Sequence, residues 1–133
     1  METTICYCVA VRTAARKTTA LYDALLEPAG VTLAQFSLLR KIRRAGTVSL
    51  TRLGQLTELD RSTIGRNVKA LEKLGLVRLG AAEDQREAAV RLTPGGGRAL
   101  EVGAPLWAEA QRRVEAALGA TGAAELQTLA HNL

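Results

Sequence analysis

Residues 57–79, "TELDRSTIGRNVKALEKLGLVRL", carry two opposed faces on a single helical repeat. Ile64, Val68, Leu71 and Gly75 recur at i, i+4, i+7 and i+11 and form an edge for burial. Ser62, Arg66, Lys69 and Lys73 keep the same spacing about 180° away. One stripe therefore belongs in a core while the opposite stripe is hydroxyl or cationic. Asp60 stands where an N-cap belongs, and Gly75 stands where a helix stops. The stretch predicts a helix closed at both ends and shared between the interior and an outside partner.

Reading upstream, "TELD" is a tight connection from a short helix that starts after Ser49, with Leu53 and Leu56 facing inward. Thr32 and Gln35 have the spacing of a capping box, and Phe36, Leu39 and Ile42 give the helix they open an apolar side that runs to Gly46. Residues 4–27 form a first helix, stopped by Pro28 and Gly30. Downstream, two short strands at about 76–80 and 88–92 flank the charged "EDQRE" of residues 83–87 and predict a hairpin. Thr93-Pro94 reads as an N-cap and first-turn proline. It opens a long helix to about Leu118, kinked at Pro105, and a last helix follows from Thr121. The glycine-rich "TPGGG" loosens the first turn of that long helix.

The chain of 133 residues suits one domain. Aromatics are few (Phe36, Trp107, Tyr7 and Tyr22), and Ala and Leu abound, which favours helices. No apolar run approaches the ~20 residues of a membrane span, and the N-terminus makes a poor signal peptide. A cytoplasmic protein with reduced cysteines is expected. The net charge of +5 is concentrated: residues 40–91 hold 12 Lys or Arg against 6 Asp or Glu. A positive middle between near-neutral ends points to a polyanion. Enzymatic chemistry has little support, because no Ser/His/Asp set, metal cluster or close carboxylate pair is present. "PGGG" lacks the Lys and hydroxyl of a nucleotide loop, and His131 lies in the terminal tail. No cofactor or metal is called for.

The order helix, helix, turn, helix, hairpin is mainly α with a small two-stranded β-wing, a winged helix-turn-helix. In that arrangement the helix after the turn enters the major groove with its N-terminal residues toward the bases. Arg66 is the candidate base reader, since its fork matches guanine O6 and N7. Lys69 and Lys73 suit phosphates. Ser62 lies on the same stripe, Thr63 on its shoulder and Arg61 at the entry turn. At the wing tip, Arg86 suits a narrow minor groove, with Asp84 two residues earlier to hold its side chain.

The stretch "SLTRLGQLTELDRSTIGRNVKALEKLGLVRLGAAEDQREAAVRLTPGG" resembles the DNA-binding core of the MarR family of bacterial regulators. The likeness rests on the "LEKLGLV" exit, the "DQR" wing tip and the "LTPGG" entry to the next helix, and the flanking helices extend it over nearly the whole chain. It implies one MarR-like domain over residues 1–133, with dimerisation helices at 1–30 and 94–133 around a core at 31–93. It also implies a homodimeric repressor on a palindromic operator of double-stranded DNA. Arg66 and Arg86 then match the family's base-reading and minor-groove arginines.

"CYC" places Cys6 and Cys8 about 200° apart on a helix, too divergent to bridge each other. Cys8 shares a face with Arg12, and a cation one turn away favours the reactive thiolate. The segment resembles that of the family's organic-peroxide sensors, and Tyr22 matches one of their tyrosines, but Arg12 and Leu33 occupy positions where further tyrosines are expected. Three readings stand: a redox thiol, a small apolar residue buried at a dimer seam and, behind both, metal binding by Cys6 and Cys8. Release of DNA by a small-molecule effector or by thiol oxidation is expected. The rival is a thiol-based redox or metal-responsive protein with weak or vestigial DNA binding.

Overall fold

The computed structural model describes residues 4–81 and 88–133. Helix α1 spans Tyr7–Leu26 and passes through a 3-10 turn, Glu27–Ala29, to α2, Leu33–Ala45. A short strand β1, Val48–Ser49, leads into α3, Leu50–Thr57, and then α4, Arg61–Lys73. Strands β2, Val77–Ala81, and β3, Ala88–Leu92, precede the long α5, Pro94–Asn132.

Local chemistry explains most boundaries. Thr32 Oγ1 accepts from the Gln35 amide at 3.2 Å, and Gln35 Oε1 accepts from the Thr32 amide at 2.9 Å, which completes the capping box. Ser49 caps α3 by accepting from the Arg52 amide. Glu58 reverses the chain between α3 and α4 at φ 57, in the left-handed region. Gly75, at φ 76, ends α4.

The start of α5 is sharp, contrary to the loosening expected of "TPGGG". Thr93 Oγ1 accepts from the Gly96 amide at 3.1 Å and donates to the Gly75 carbonyl at 2.5 Å. A Cβ on Gly96 would lie 2.1 Å from the Leu76 carbonyl oxygen, so this glycine serves close packing. Helical dihedrals in α5 break at Gly119 (φ 74, ψ 168), between the two helices expected to meet there. Pro105 lies inside α5, and it is Gly119, not this proline, whose backbone leaves the helix.

The hairpin gains a third strand, giving an antiparallel sheet of order β1-β3-β2. β1 pairs Val48 with Val90 and Ser49 with Ala89. One core joins all layers: Leu26 of α1, Leu39 and Ile42 of α2, Leu53 of α3, Ile64, Val68 and Leu71 of α4, Val90 of β3 and Leu100 of α5 are essentially fully buried. Leu56 departs from expectation. It closes the last turn of an eight-residue helix and stays 39% exposed instead of pointing inward.

The N-terminal helix packs on α5. Tyr22, buried in that contact, donates its hydroxyl to Gln111 Oε1. Burial, then the Glu115 carboxylate, raises the Tyr22 pKa, so the phenol stays protonated as a donor. No helix among the described residues is long and apolar enough to cross a membrane.

Candidate nucleic-acid interface

Helix α4 is set in place by its own buried edge. Ile64, Val68 and Leu71 are fully buried, each contributing about 1.5–3 kcal/mol of burial, which fixes the rotation of the helix about its axis. The opposite stripe is thereby presented to solvent: Arg61, Ser62, Arg66, Lys69 and Lys73 are all exposed, and Thr63 is half-buried on the shoulder.

Asp60 organises the leading end. Its Oδ1 accepts from the Thr63 amide at 2.8 Å and from the Ser62 hydroxyl at 2.8 Å. Those bonds, the Thr63 amide first, hold the carboxyl below its usual range, so Asp60 is an anion at neutral pH. Ser62 therefore spends its proton inside the chain and keeps its lone pairs for a donor outside. Arg66 Nη2 lies 3.5 Å from Thr63 Oγ1, a contact too long to restrain it strongly. Its guanidinium, with the ammonium groups of Lys69 and Lys73, has no carboxylate within ion-pair distance among the described residues. The only ion pairs there join Glu109 to Arg112 and Arg113 on α5.

Asp84 and Arg86, expected at the wing tip, lie outside the described residues. The frame beneath them is described: Ala81 pairs with Ala88, Gly80 with Ala89 and Arg78 with Arg91. Arg78 and Arg91 face each other across the strands, both exposed and without a carboxylate partner among the described residues. Like charges directly opposite are unfavourable in a sheet, so an anion above this pair would relieve them. Sequence reading missed the pair, because only the register shows that residues 13 apart are neighbours.

At the other end of the chain, Cys6 is the N-cap residue of α1 and Cys8 lies in its first turn. Both thiols are free and exposed, as is Arg12. Within one chain, then, Cys8 is not buried. Ile5, Tyr7 and Val9 around it are exposed too, at 63%, 79% and 61%. Among the described residues no group of three or more His, Cys, Asp or Glu could hold a metal ion.

Residues 29–87 match the model of the MarR family. A DNA-bound transcriptional regulator, MosR of M. tuberculosis, is 33% identical, with 96% of this chain and 97% of that one covered at a TM-score of 0.79. The chain belongs to the MarR family. A probable transcriptional regulator from Pseudomonas aeruginosa is 30% identical, covering 92% of each chain with a TM-score of 0.84. A cysteine-to-serine mutant of MarR from E. coli, complexed with operator DNA, is 25% identical, covering 92% of this chain and 89% of that one with a TM-score of 0.84. None of the curated proteins matches the chain by sequence. As a MarR-family member, the chain is a DNA-binding transcription regulator and not an enzyme.

Proposed function

We propose that this MarR-family chain is a cytoplasmic, homodimeric repressor that binds a palindromic operator and leaves it on a chemical signal. The observation that carries this reading is the division of α4 into a buried edge, Ile64, Val68 and Leu71, and an exposed cationic stripe, Arg66, Lys69 and Lys73, without a carboxylate in ion-pair distance among the described residues. Arg66 reads a base in the major groove, Lys69 and Lys73 hold phosphates, and Arg61, Ser62 and Thr63 meet the duplex at the leading turn. Arg86, oriented by Asp84, enters the minor groove. The DNA complexes of the E. coli and M. tuberculosis relatives support this placement.

The exposed apolar residues support the dimer. Residues 1–30 and 94–133 frame the DNA-binding core at 31–93. Ile5, Tyr7 and Val9 of one end and Leu126 and Leu129 of the other are left uncovered by a single chain. A second copy covers them and sets the distance between two α4 helices. A signal that alters this distance removes the match to successive major grooves.

A small ligand is one such signal. The exposure of Cys6 and Cys8 at the start of α1, inside the proposed dimer frame, favours thiol oxidation as a second. Binding of a palindromic duplex from the chain's own upstream region, against a scrambled duplex over a salt series, tests the reading. Affinity that differs between the two at every salt concentration supports sequence-specific binding. Equal affinities that fall together with salt would leave only the rival, a thiol-responsive protein with vestigial DNA binding.

A further inference from the structure

Cys6 and Cys8 stand two residues apart at the start of α1, and both thiols are free and exposed. A divergence of about 200° holds for two helical positions, but Cys6 is not one. It is the N-cap, in extended backbone at φ -85 and ψ 115, and its thiol makes no capping bond. The side chain of an N-cap leans over the first turn. Cβ atoms within a helix tilt toward its N-terminus, which carries the Cys8 side chain back to the same end. Two residues of chain hold the two Cα atoms within about 7 Å. Both sulfurs thus flank one end of one helix, in reach of a single ion between them.

The charges around the pair choose the ion. The first turn of α1 holds no acidic residue. Arg12, Arg16 and Lys17 follow before Asp23, the first carboxylate of the helix. The helix N-terminus adds partial positive charge of its own, so an anionic complex is favoured here. Two thiolates around a monovalent ion leave a negative charge, and around a divalent ion they leave none. Soft sulfur ligands select Cu(I), and two sulfurs in line satisfy such a d10 ion. Zn(II) takes four donors, and no third His, Cys, Asp or Glu joins the pair among the described residues.

We infer that Cys6 and Cys8 form a two-thiolate site for one soft monovalent cation of the Cu(I) class. Both thiols release their protons to solvent, two metal–sulfur bonds form, and no electron is transferred. Binding ties the residues before α1 to its first turn, within the face where Ile5, Tyr7 and Val9 are exposed. The site rests on the two thiols and the charges around them. Its effect on operator binding rests on the regulator reading above.

Competition for Cu(I) against bicinchoninate, with the reduced chain under anaerobic conditions, tests the site without DNA. One copper per chain is expected, and X-ray absorption should show two sulfurs in line. Cys6→Ser and Cys8→Ser should each weaken binding by roughly a hundredfold or more, at least the scale of a lost outer-shell partner. Arg12→Gln should weaken it about two- to fivefold, the scale of an exposed charge pair, with the stoichiometry unchanged. Circular dichroism of each variant checks the fold. Copper held no more tightly than by the variant lacking both thiols overturns the site. So does Zn(II) held as tightly as Cu(I), and so does one ion per two chains with four sulfurs, which would be a four-donor site between copies. An affinity unmoved by Arg12→Gln overturns the part given to charge. Copper loading should change operator affinity in wild type and not in Cys8→Ser, and equal affinity with and without copper overturns the regulatory half. If copper binds but the chain ignores every operator, the site stands and the regulator reading fails.

Discussion

The guanidinium carbon of Arg40 sits 4.6 Å from the ring centre of Trp107 and 5.9 Å from that of Phe36. Arg40 and Phe36 lie on α2, Trp107 on α5, so the contact joins the DNA-binding core to the helix proposed to dimerise. Nearby, a Cβ on Gly103 of α5 would lie 2.6 Å from the Phe36 ring, so that ring packs directly on the α5 backbone. This seam is one of the contacts that join the core to the proposed dimer frame, beside those of α1 with α2 and of α5 with β3.

Arg40→Gln keeps polarity and removes the cation. It should destabilise the chain by about 1 kcal/mol. Trp107 is the single tryptophan, so its emission reports the loss directly. Unchanged emission in a variant that melts normally would mean that the stack does not hold the seam.

Asp60 sets the acid limit of α4. Its folded-state pKa is lowered, mainly by the Thr63 amide and then by Ser62. A depressed carboxylate stabilises the fold above its unfolded pKa, and that stabilisation is lost as pH falls through the folded value. The melting-temperature gap between wild type and Asp60→Ala should be full near neutral pH and close in acid, below about pH 4. Asp60→Asn, a neutral cap of similar strength, should show a gap to Asp60→Ala that does not change with pH. A wild-type gap that persists in strong acid would rule out the charged cap.

The caps were legible because cap chemistry is local: Thr32, Ser49, Asp60 and Thr93 each satisfy an amide three residues on. The buried edge of α4 was legible because a 13-residue helix displays its period several times. What escaped depends on distant neighbours. Strand β1 is two residues long and exists through pairing with β3, some 40 residues away. The Arg78–Arg91 pair exists only in the register. Leu56 kept the helical period, but nothing in its own segment says that the core ends before it.

Val9 tests assembly. It is exposed in α1 beside Ile5 and Tyr7, so Val9→Asp removes no intrachain core contact. In a dimer closed over this face it would bury an unpaired charge, which is strongly unfavourable. Light scattering should show a monomer, or a melting temperature that depends on protein concentration more steeply than in wild type. A dimer as stable as wild type would place the seam elsewhere.

Arg66 and Lys73 share one stripe but are assigned different tasks. Arg66→Ala should cost about 1–3 kcal/mol of discrimination at one base pair. Lys73→Ala should weaken all duplexes alike and flatten the salt slope by about 1. Binding measured across single-base operator variants separates the two. Identical sequence profiles for both mutants would refute the division of labour.

Gly65 offers the sharpest contrast between fold and function. It lies inside α4, where glycine costs roughly 0.5–1 kcal/mol relative to alanine. Packing among the described residues does not require it there, since an added Cβ would meet none of their atoms within 4 Å. On the helical wheel it borders Ser62 and Lys69, at the edge of the proposed DNA-facing stripe. A missing side chain at that position lets the backbone approach a partner closely. Gly65→Ala should therefore melt higher than wild type and bind operator more weakly, opposite signs from one methyl group. A variant both more stable and equal in affinity would turn this edge of α4 away from the duplex, and the rotation proposed for the recognition helix would have to change with it.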